Sequence, residues 1–442
     1  MSSTALLTDR YELSMLEAAL RSGRADSRAV FEVFTRRLAD RRPWGVFAGL
    51  GRLLDALAEF RFGPEELRWL DEAALVGPAT RDWLAGYRFS GDIHAYREGE
   101  LYTAGSPVLT VEGTFGEAVL LETLVLSILN FDSAVASAAA LIALAAQDRP
   151  LIEMGSRRID PDAAVAAARA AYLAGFSSTS NLEAGRRYGL PTAGTASHAF
   201  VLAFGPGEEG EREAFAAQVA ALGTGTTLLV DTYDIAHGIR LAAEVAGPAL
   251  AAVRIDSGDV GAEAVRARAL LDRLGATGTK LIVTGDLDAH TIAALGAAPI
   301  DGYGVGTSVV TGMGVPSAGF VYKLVAVTAG GAAAGQPMVP VAKRSLGKAS
   351  VGGRKWAWRA HLEGDPCRYE AGAEVIGEAC WADIVTVRPQ GPPEPGARPL
   401  QVQVMAAGRP AAQPSLAQSR AFHALVRNEV AEGPLVLERR PG

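Results

Sequence analysis

Between Arg149 and about Val327 the chain alternates short apolar runs with helical segments, and this alternation restricts the fold more than any other feature. The runs are Leu151–Met154, Leu190–Ala193, Thr226–Val230, Leu250–Ile255, Lys280–Val283, Gly302–Val305 and Phe320–Val327. Helical patterns follow several of them, at Asp160–Leu173, Ile235–Val245 and Gly261–Leu274. A strand followed by a helix crosses over before the next strand pairs, which makes the sheet parallel. About seven such strands can close on themselves, so the expected fold class is α/β with an irregular β/α barrel.

The flanks read differently. From Leu6 to about Asn130, amphipathic helices are predicted at Glu12–Ser22, Gly49–Glu59 and Pro64–Leu70, and small antiparallel strands at Ile93–Tyr96 and Val108–Glu112. A helix over Gly116–Asn130 is apolar nearly all round and should be buried. Beyond Thr328, strands are predicted at Lys355–His361 and Ala379–Val387, with the Pro-rich piece from Arg388 to Gly396 as an exposed loop.

Composition excludes some function classes. A chain of 442 residues, 49% hydrophobic and 21% charged, can bury large cores and is not a disordered protein. Its net charge of -7 argues against a nucleic-acid partner, which needs clustered Lys and Arg. Cys367 and Cys380 form no Cys-x-x-Cys pair, and the six histidines lack metal-ligand spacing, so reduced thiols and no structural zinc are expected. The N-terminus lacks an export signal, and apolar stretches such as Ala134–Ala146 are too short to span a bilayer. A cytoplasmic protein with no membrane association is the expectation.

Polar clusters end nearly every barrel-like run. Leu151–Met154 leads into Gly155, Ser156, Arg157 and Arg158, and the next run leads into Gly194, Thr195, Ala196, Ser197 and His198. Later runs end at Asp231 to Asp234, Asp256 to Asp259, Thr284 to Asp286, and Gly304 to Ser308, with Arg254 inside the fourth run. In a β/α barrel these strand ends share one mouth, where active sites form. Asp, Ser and Thr also cap helices, which accounts for any single cluster without a function. Capping does not account for Arg157, Arg158, His198 or Arg254, so a common site is expected.

The residue types indicate its chemistry. Gly304-Val-Gly-Thr-Ser resembles a phosphate cradle of backbone N–H groups and hydroxyls. Arg157 and Arg158 suit a carboxylate or phosphate. Asp231, Asp234, Asp256, Asp259 and Asp286 beside phosphate-binding groups imply Mg²⁺, although some of the five should be helix caps. His198, among carboxylates, is placed to serve as a nucleophile.

Seven segments, in order, resemble the nicotinate phosphoribosyltransferases, a type II phosphoribosyltransferase family. They are Thr8-Asp-Arg-Tyr-Glu-Leu-Ser-Met, Glu153-Met-Gly-Ser-Arg-Arg, Gly175-Phe-Ser-Ser-Thr-Ser-Asn, Gly194-Thr-Ala-Ser-His-Ala-Phe, Leu229-Val-Asp-Thr-Tyr-Asp, Val253-Arg-Ile-Asp-Ser-Gly-Asp and Gly304-Val-Gly-Thr-Ser. The resemblance implies transfer of phosphoribosyl from phosphoribosyl pyrophosphate (PRPP) to nicotinate, giving nicotinate mononucleotide and pyrophosphate in NAD salvage. It implies ATP as co-substrate, hydrolysed through a phosphorylated histidine at the position of His198, with Asp231 and Asp256 orienting that histidine or holding Mg²⁺. For nicotinate it implies Tyr11, stacking on the pyridine ring from the neighbouring subunit of a homodimer, with Met154, Arg157, Thr195 and Arg254 around the ring and its carboxylate. For PRPP it implies Gly285 and Asp286 near the ribose and Gly306 and Thr307 at the 5-phosphate.

The resemblance also implies that the barrel, residues 131–335, stands beside an α+β domain built from residues 1–130 and completed by residues 336–442. Met154 stands where several relatives have Phe, and its polarizable sulfur can still pack on a ring. Arg10 stands where an aliphatic residue is usual, and nothing in the sequence explains it. Two other readings compete: the same transfer onto nicotinamide or quinolinate, and a non-catalytic sensor of nicotinate or its nucleotide. Arg254 and Arg157 favour the single carboxylate of nicotinate, and the presence of His198, Asp231, Asp256 and Thr307 favours an enzyme.

Overall fold

A computed structural model describes residues 3–38, 42, 44–329, 336–345, 350–360, 373–378, 381–386 and 396–430. Cys367, Cys380, His361 and most of the Pro-rich piece lie outside the described residues. The chain divides into two compact units, one holding residues 1–134 and 315–433, the other centred on residues 135–314.

The first unit joins both ends of the chain through an antiparallel sheet. Its strands run in the order Met338–Pro340, Phe320–Thr328, Arg28–Thr35, Leu109–Thr114, Asp92–Tyr96, Gln401–Ala406 and Arg409–Pro410. One face packs against helices Arg10–Arg21 and Leu50–Ala58, whose Leu13, Leu16, Leu53 and Leu54 are buried with Phe31, Tyr96 and Tyr322. The rings of Phe31 and Tyr322 stack across neighbouring strands with centroids 4.8 Å apart. A smaller sheet orders Ala373–Glu378, Trp381–Thr386, Trp356–Ala360 and Arg398–Pro399, so both strands expected there form.

Phe320–Thr328 is therefore not a barrel strand. It pairs antiparallel with Arg28–Thr35, placing Tyr322 opposite Val33. The reason is visible in its pattern: Phe320 and Tyr322 are buried while Val321 and Lys323, which alternate with them, are only partly so. A strand with one wet face suits an antiparallel sheet, whereas parallel strands are covered on both faces.

The apolar helix expected over Gly116–Asn130 is also redrawn. It splits into Phe115–Val119 and a 25-residue helix, Glu122–Ala146, which absorbs the Ala-rich stretch. That helix is long and apolar enough to cross a bilayer, yet most of it is buried inside the protein, as befits a core helix.

The second unit is a parallel half-barrel. Its strands, numbered within this unit, are β1 (Leu151–Glu153), β2 (Ser178–Thr179), β3 (Thr227–Leu229), β4 (Ala252–Ile255), β5 (Lys280–Val283) and β6 (Gly302–Val305). They are ordered β2-β1-β6-β5-β4-β3, every pair parallel. A parallel bridge from Thr179 to Thr192 adds a seventh rung outside β2, at the run Leu190–Ala193. Among the helices are α1 (Pro161–Leu173), α2 (Leu182–Tyr188), α3 (His198–Leu202), α4 (Gly207–Leu222), α5 (Ile235–Ala246), α6 (Val260–Arg273), α7 (Ala289–Ala294) and α8 (Thr307–Val310). β6 is buried at all four residues, as a central parallel strand requires.

Candidate active site

Two of the five aspartates are helix caps. Asp234 Oδ1 accepts the N–H of His237 at 2.7 Å and opens α5, and Asp259 Oδ1 accepts that of Ala262 at 3.2 Å and opens α6. Asp231 and Asp256, one residue or two beyond the ends of β3 and β4, do something else. Asp231 Oδ2 accepts the N–H of Asp256 at 2.8 Å and the hydroxyl of Ser257 at 2.7 Å, and the Asp231 side chain is wholly buried. Its Oδ1 has no hydrogen-bond partner among the described residues.

Arg254, on β4, links its neighbour β5 to the segment beyond Thr192 at the far edge of the sheet. Its Nε donates to Thr284 Oγ1 at 2.8 Å, just past β5, and its Nη1 donates to Thr195 Oγ1 at 2.8 Å, beyond the Thr192 rung. Its Nη2 lies 3.3 Å from Asp256 Oδ1, which also accepts the hydroxyl of Thr284. The guanidinium fork thus addresses three partners from one rigid plane, as a planar group with five donors can.

His198 begins α3 and faces this cluster with a half-exposed side chain. Its Nδ1 lies 3.2 Å from Thr232 Oγ1, while its Nε2 lies 3.9 Å from Asp231 Oδ1 and 4.0 Å from Asp256 Oδ2. The two nitrogens therefore see different neighbours: a hydroxyl on one side, two carboxylates on the other. Carboxylates favour an N–H on the nitrogen they face, which leaves Nδ1 with the lone pair.

The remaining strand ends frame the cluster. Glu153 is buried at the end of β1, accepts from Gly155 N–H and Thr179 Oγ1, and so fastens the loop after β1 to β2. Burial raises its pKa, against the pull of those hydrogen bonds. Met154 N–H bonds to Val305 O at 2.8 Å. A Cβ at Gly304 would lie 2.5 Å from the Thr284 methyl and 2.7 Å from Met154 Sδ, so glycine there lets Met154 reach the same neighbourhood as Thr284. Gly285, at φ +98°, turns against Asp256 O, where a Cβ would lie 2.5 Å away. Asp286 also has positive φ, at 41°, and is exposed. Gly306 caps α8, and Thr307 stands exposed as its first residue.

The structure thus brings together His198, Asp231, Asp256, Arg254 and Thr195, with Met154, Gly285 and Gly306 alongside. It does not bring Arg157 into the network: this side chain and that of Arg158 are exposed beyond β1. Tyr11 belongs to the first unit, on Arg10–Arg21, where it is 44% exposed. Partial burial, then Glu122 and Glu12, push its hydroxyl up to about 12. Thr232, Ser257 and Thr284, each from one of the polar clusters at the strand ends, supply the hydrogen-bond partners that residue type alone does not mark. Glu211, buried on α4, gave no signal at all, since it sits in an acidic run with Glu208, Glu209 and Glu213 that reads as a solvated helix face.

Residues 6–130 match the family model of the nicotinate phosphoribosyltransferase (NAPRTase) N-terminal domain. The chain is 54% identical over 423 residues to nicotinate phosphoribosyltransferase pncB1 of Mycobacterium tuberculosis (strain ATCC 25618 / H37Rv), covering 94% of this chain and 88% of that protein. It is 37% identical over 380 residues to nicotinate phosphoribosyltransferase of Bacillus subtilis (strain 168), covering 82% of this chain and 76% of that protein. The crystal structure of human nicotinic acid phosphoribosyltransferase is similar with a TM-score of 0.76 at 27% identity, over 96% of this chain and 94% of that one.

Proposed function

This chain belongs to the nicotinate phosphoribosyltransferase family, and we propose that it couples its reaction to ATP hydrolysis through phosphorylation of His198. It is an enzyme that transfers phosphoribosyl from PRPP to nicotinate, giving nicotinate mononucleotide and pyrophosphate in NAD salvage. The observation that carries the coupling is the asymmetry of His198: Nδ1 3.2 Å from a hydroxyl, Nε2 about equally far from two carboxylates at 3.9 and 4.0 Å.

In this reading Nδ1 attacks the γ-phosphorus of ATP. The bond from that phosphorus to the β-phosphate oxygen breaks, and ADP leaves with the electron pair. The Nε2 proton passes to a facing carboxylate, which leaves a neutral ring bearing the phosphoryl group. Water later releases phosphate and restores the histidine.

Mg²⁺ fits as a cation delivered with the substrate. Among the described residues no three His, Cys, Asp or Glu side chains form a metal cage. Asp256, whose side chain is a quarter exposed, can offer Oδ2, while the buried Asp231 is committed to orienting His198. Such a cation would take its other ligands from phosphate and water and would neutralise polyphosphate charge. Arg254, Thr195 and Met154 would hold nicotinate, with Arg157 closing on its carboxylate; Gly285, Asp286, Gly306 and Thr307 would hold PRPP.

The exposed Leu6, Leu7 and Tyr11 support a homodimer in which Tyr11 is given to the neighbouring subunit's nicotinate. The deciding experiment is pyrophosphate release from nicotinate and PRPP, with Mg²⁺, with and without ATP, in wild type and His198→Ala. ATP should stimulate only the wild type, leaving the variant with slow, uncoupled transfer. Full ATP stimulation in His198→Ala would remove His198 from the mechanism.

A further inference from the structure

The loop after β1 is a tight turn held from both sides. Arg158 N–H donates to Gly155 O at 2.9 Å, which makes Ser156 and Arg157 the central pair of a four-residue turn. On one side, buried Glu153 accepts the N–H of Gly155 with one carboxyl oxygen and the hydroxyl of buried Thr179 with the other. Thr179 Oγ1 in turn accepts the N–H of Asn181 at 3.0 Å, and Asn181 Nδ2 donates to Ser156 Oγ at 3.0 Å. These bonds close a ring that runs from Glu153 through Thr179, Asn181 and Ser156 back to Gly155. Asn181 is itself fixed, because its Oδ1 caps α2 by accepting the N–H of Ala184 at 2.8 Å. On the other side Gly155 lies against α8, where a Cβ would stand 2.2 Å from Val310 Cγ1, so no larger residue fits without displacing that helix.

The ring leaves out the Arg157 side chain, which is exposed and makes no hydrogen bond or ion pair among the described residues. An arginine on a turn fixed beforehand meets an anion with only its side chain to order, whereas a loose loop would have to order its backbone as well. Resting on the reading of Arg157 as the group that closes on the nicotinate carboxylate, we propose that Ser156 and Asn181 are positioning residues whose hydrogen bond fixes the turn, so that Arg157 distinguishes a pyridine carboxylate from its neutral amide. They act on nicotinate only through Arg157.

The test is a double-mutant cycle in the full chain, with Ser156→Ala, Arg157→Ala and the two combined. Alanine at position 156 removes the hydroxyl but leaves the cap of α2 and both Glu153 bonds in place. Ser156→Ala should raise the KM for nicotinate about three- to tenfold, the scale of one neutral hydrogen bond, with kcat and the KM for nicotinamide little changed. In the Arg157→Ala background the same substitution should change nothing further. No rise in the KM for nicotinate would overturn the proposal. So would an equal rise in both backgrounds, because the hydroxyl would then act without Arg157. A KM for nicotinate unchanged in Arg157→Ala would instead refute the placing of Arg157 at the carboxylate. Hydrogen exchange at the Arg158 amide then decides alone: faster exchange in Ser156→Ala upholds the hold on the turn, and equal exchange overturns it.

Discussion

Asp231 Oδ2 accepts the backbone N–H of Asp256 at 2.8 Å, so the carboxylate that follows one strand shapes the turn that follows the next. Its other oxygen is left for His198. Asp231→Asn can keep the turn, because an amide oxygen accepts the same two donors, but it puts an uncharged NH₂ in front of the imidazole. ATP stimulation should fall by about 10²-fold or more while uncoupled transfer persists, the usual scale for losing a group that handles a proton. Asp231→Ala should also lose about 1–3 kcal/mol of stability, since the donors of Asp256 and Ser257 are left unpaired. Activity ratios with and without ATP, together with urea unfolding, separate the two effects; equal ATP stimulation in wild type and Asp231→Asn would count against the orienting role.

Arg254→Lys replaces a planar fork with a point charge. Lysine cannot serve Thr195, Thr284 and Asp256 at once, so Thr195, proposed to line the nicotinate pocket, loses its tie to β4. The KM for nicotinate should rise by about ten- to a hundredfold, with a smaller change in the KM for PRPP, because one charge-assisted contact is at stake. Steady-state kinetics on nicotinate and nicotinamide would check this. A variant that lost kcat alone, with KM for nicotinate unchanged, would assign Arg254 to the chemistry instead.

The half-barrel and its mouth were readable because a parallel strand is covered on both faces and leaves a continuous apolar run, as at Leu281–Val283, followed at once by polar residues. Run length alone did not separate Phe320–Thr328 from those strands; Lys323, half-exposed in mid-strand, carried the distinction. Ser178–Thr179 is too short for any periodic signal, and its place in the sheet comes from pairing with β1. Arg254 and His198 could be marked as poor caps, but their partners Thr232 and Thr284 are ordinary residues until the fold juxtaposes them. Glu211 is the limiting case: its acidic neighbours in sequence suggest water, and only the packing of α4 on α3 and α5 removes it.

If Tyr11 completes the neighbouring subunit's site, Tyr11→Ala and His198→Ala damage different sites of a mixed dimer. Each mixed dimer then holds one site with both residues intact and one with neither. Equal mixing of the two variants, after subunit exchange, should recover about a quarter of the wild-type ATP-stimulated rate, the fraction for random pairing in a two-fold dimer. Sedimentation at assay concentration should give a dimer. Failure of mixed samples to exceed the separate variants, with exchange verified, would place Tyr11 in its own subunit's chemistry or outside the site.

His423, on the helix Leu416–Val430, should make the first unit acid-sensitive independently of catalysis. Its ring is buried, Nδ1 lies 2.8 Å from Gly99 O, and Nε2 has no partner among the described residues. Nδ1–H therefore donates to the carbonyl while the ring stays neutral. Burial, only partly offset by that hydrogen bond, pulls the pKa down to about 4. A depressed folded-state pKa means that the unfolded chain binds the proton first, so stability is full above about pH 6.5 and falls as pH drops toward about 4. The loss should reach about 2 kcal/mol by about pH 5 and about 3 kcal/mol below about pH 4. His423→Asn can still donate an amide N–H toward Gly99 but does not titrate. Its urea midpoint, lower than wild type at about pH 7 because the smaller side chain leaves a void, should therefore change less between about pH 7 and about pH 5. Parallel curves for the two proteins would mean that other groups govern the acid response.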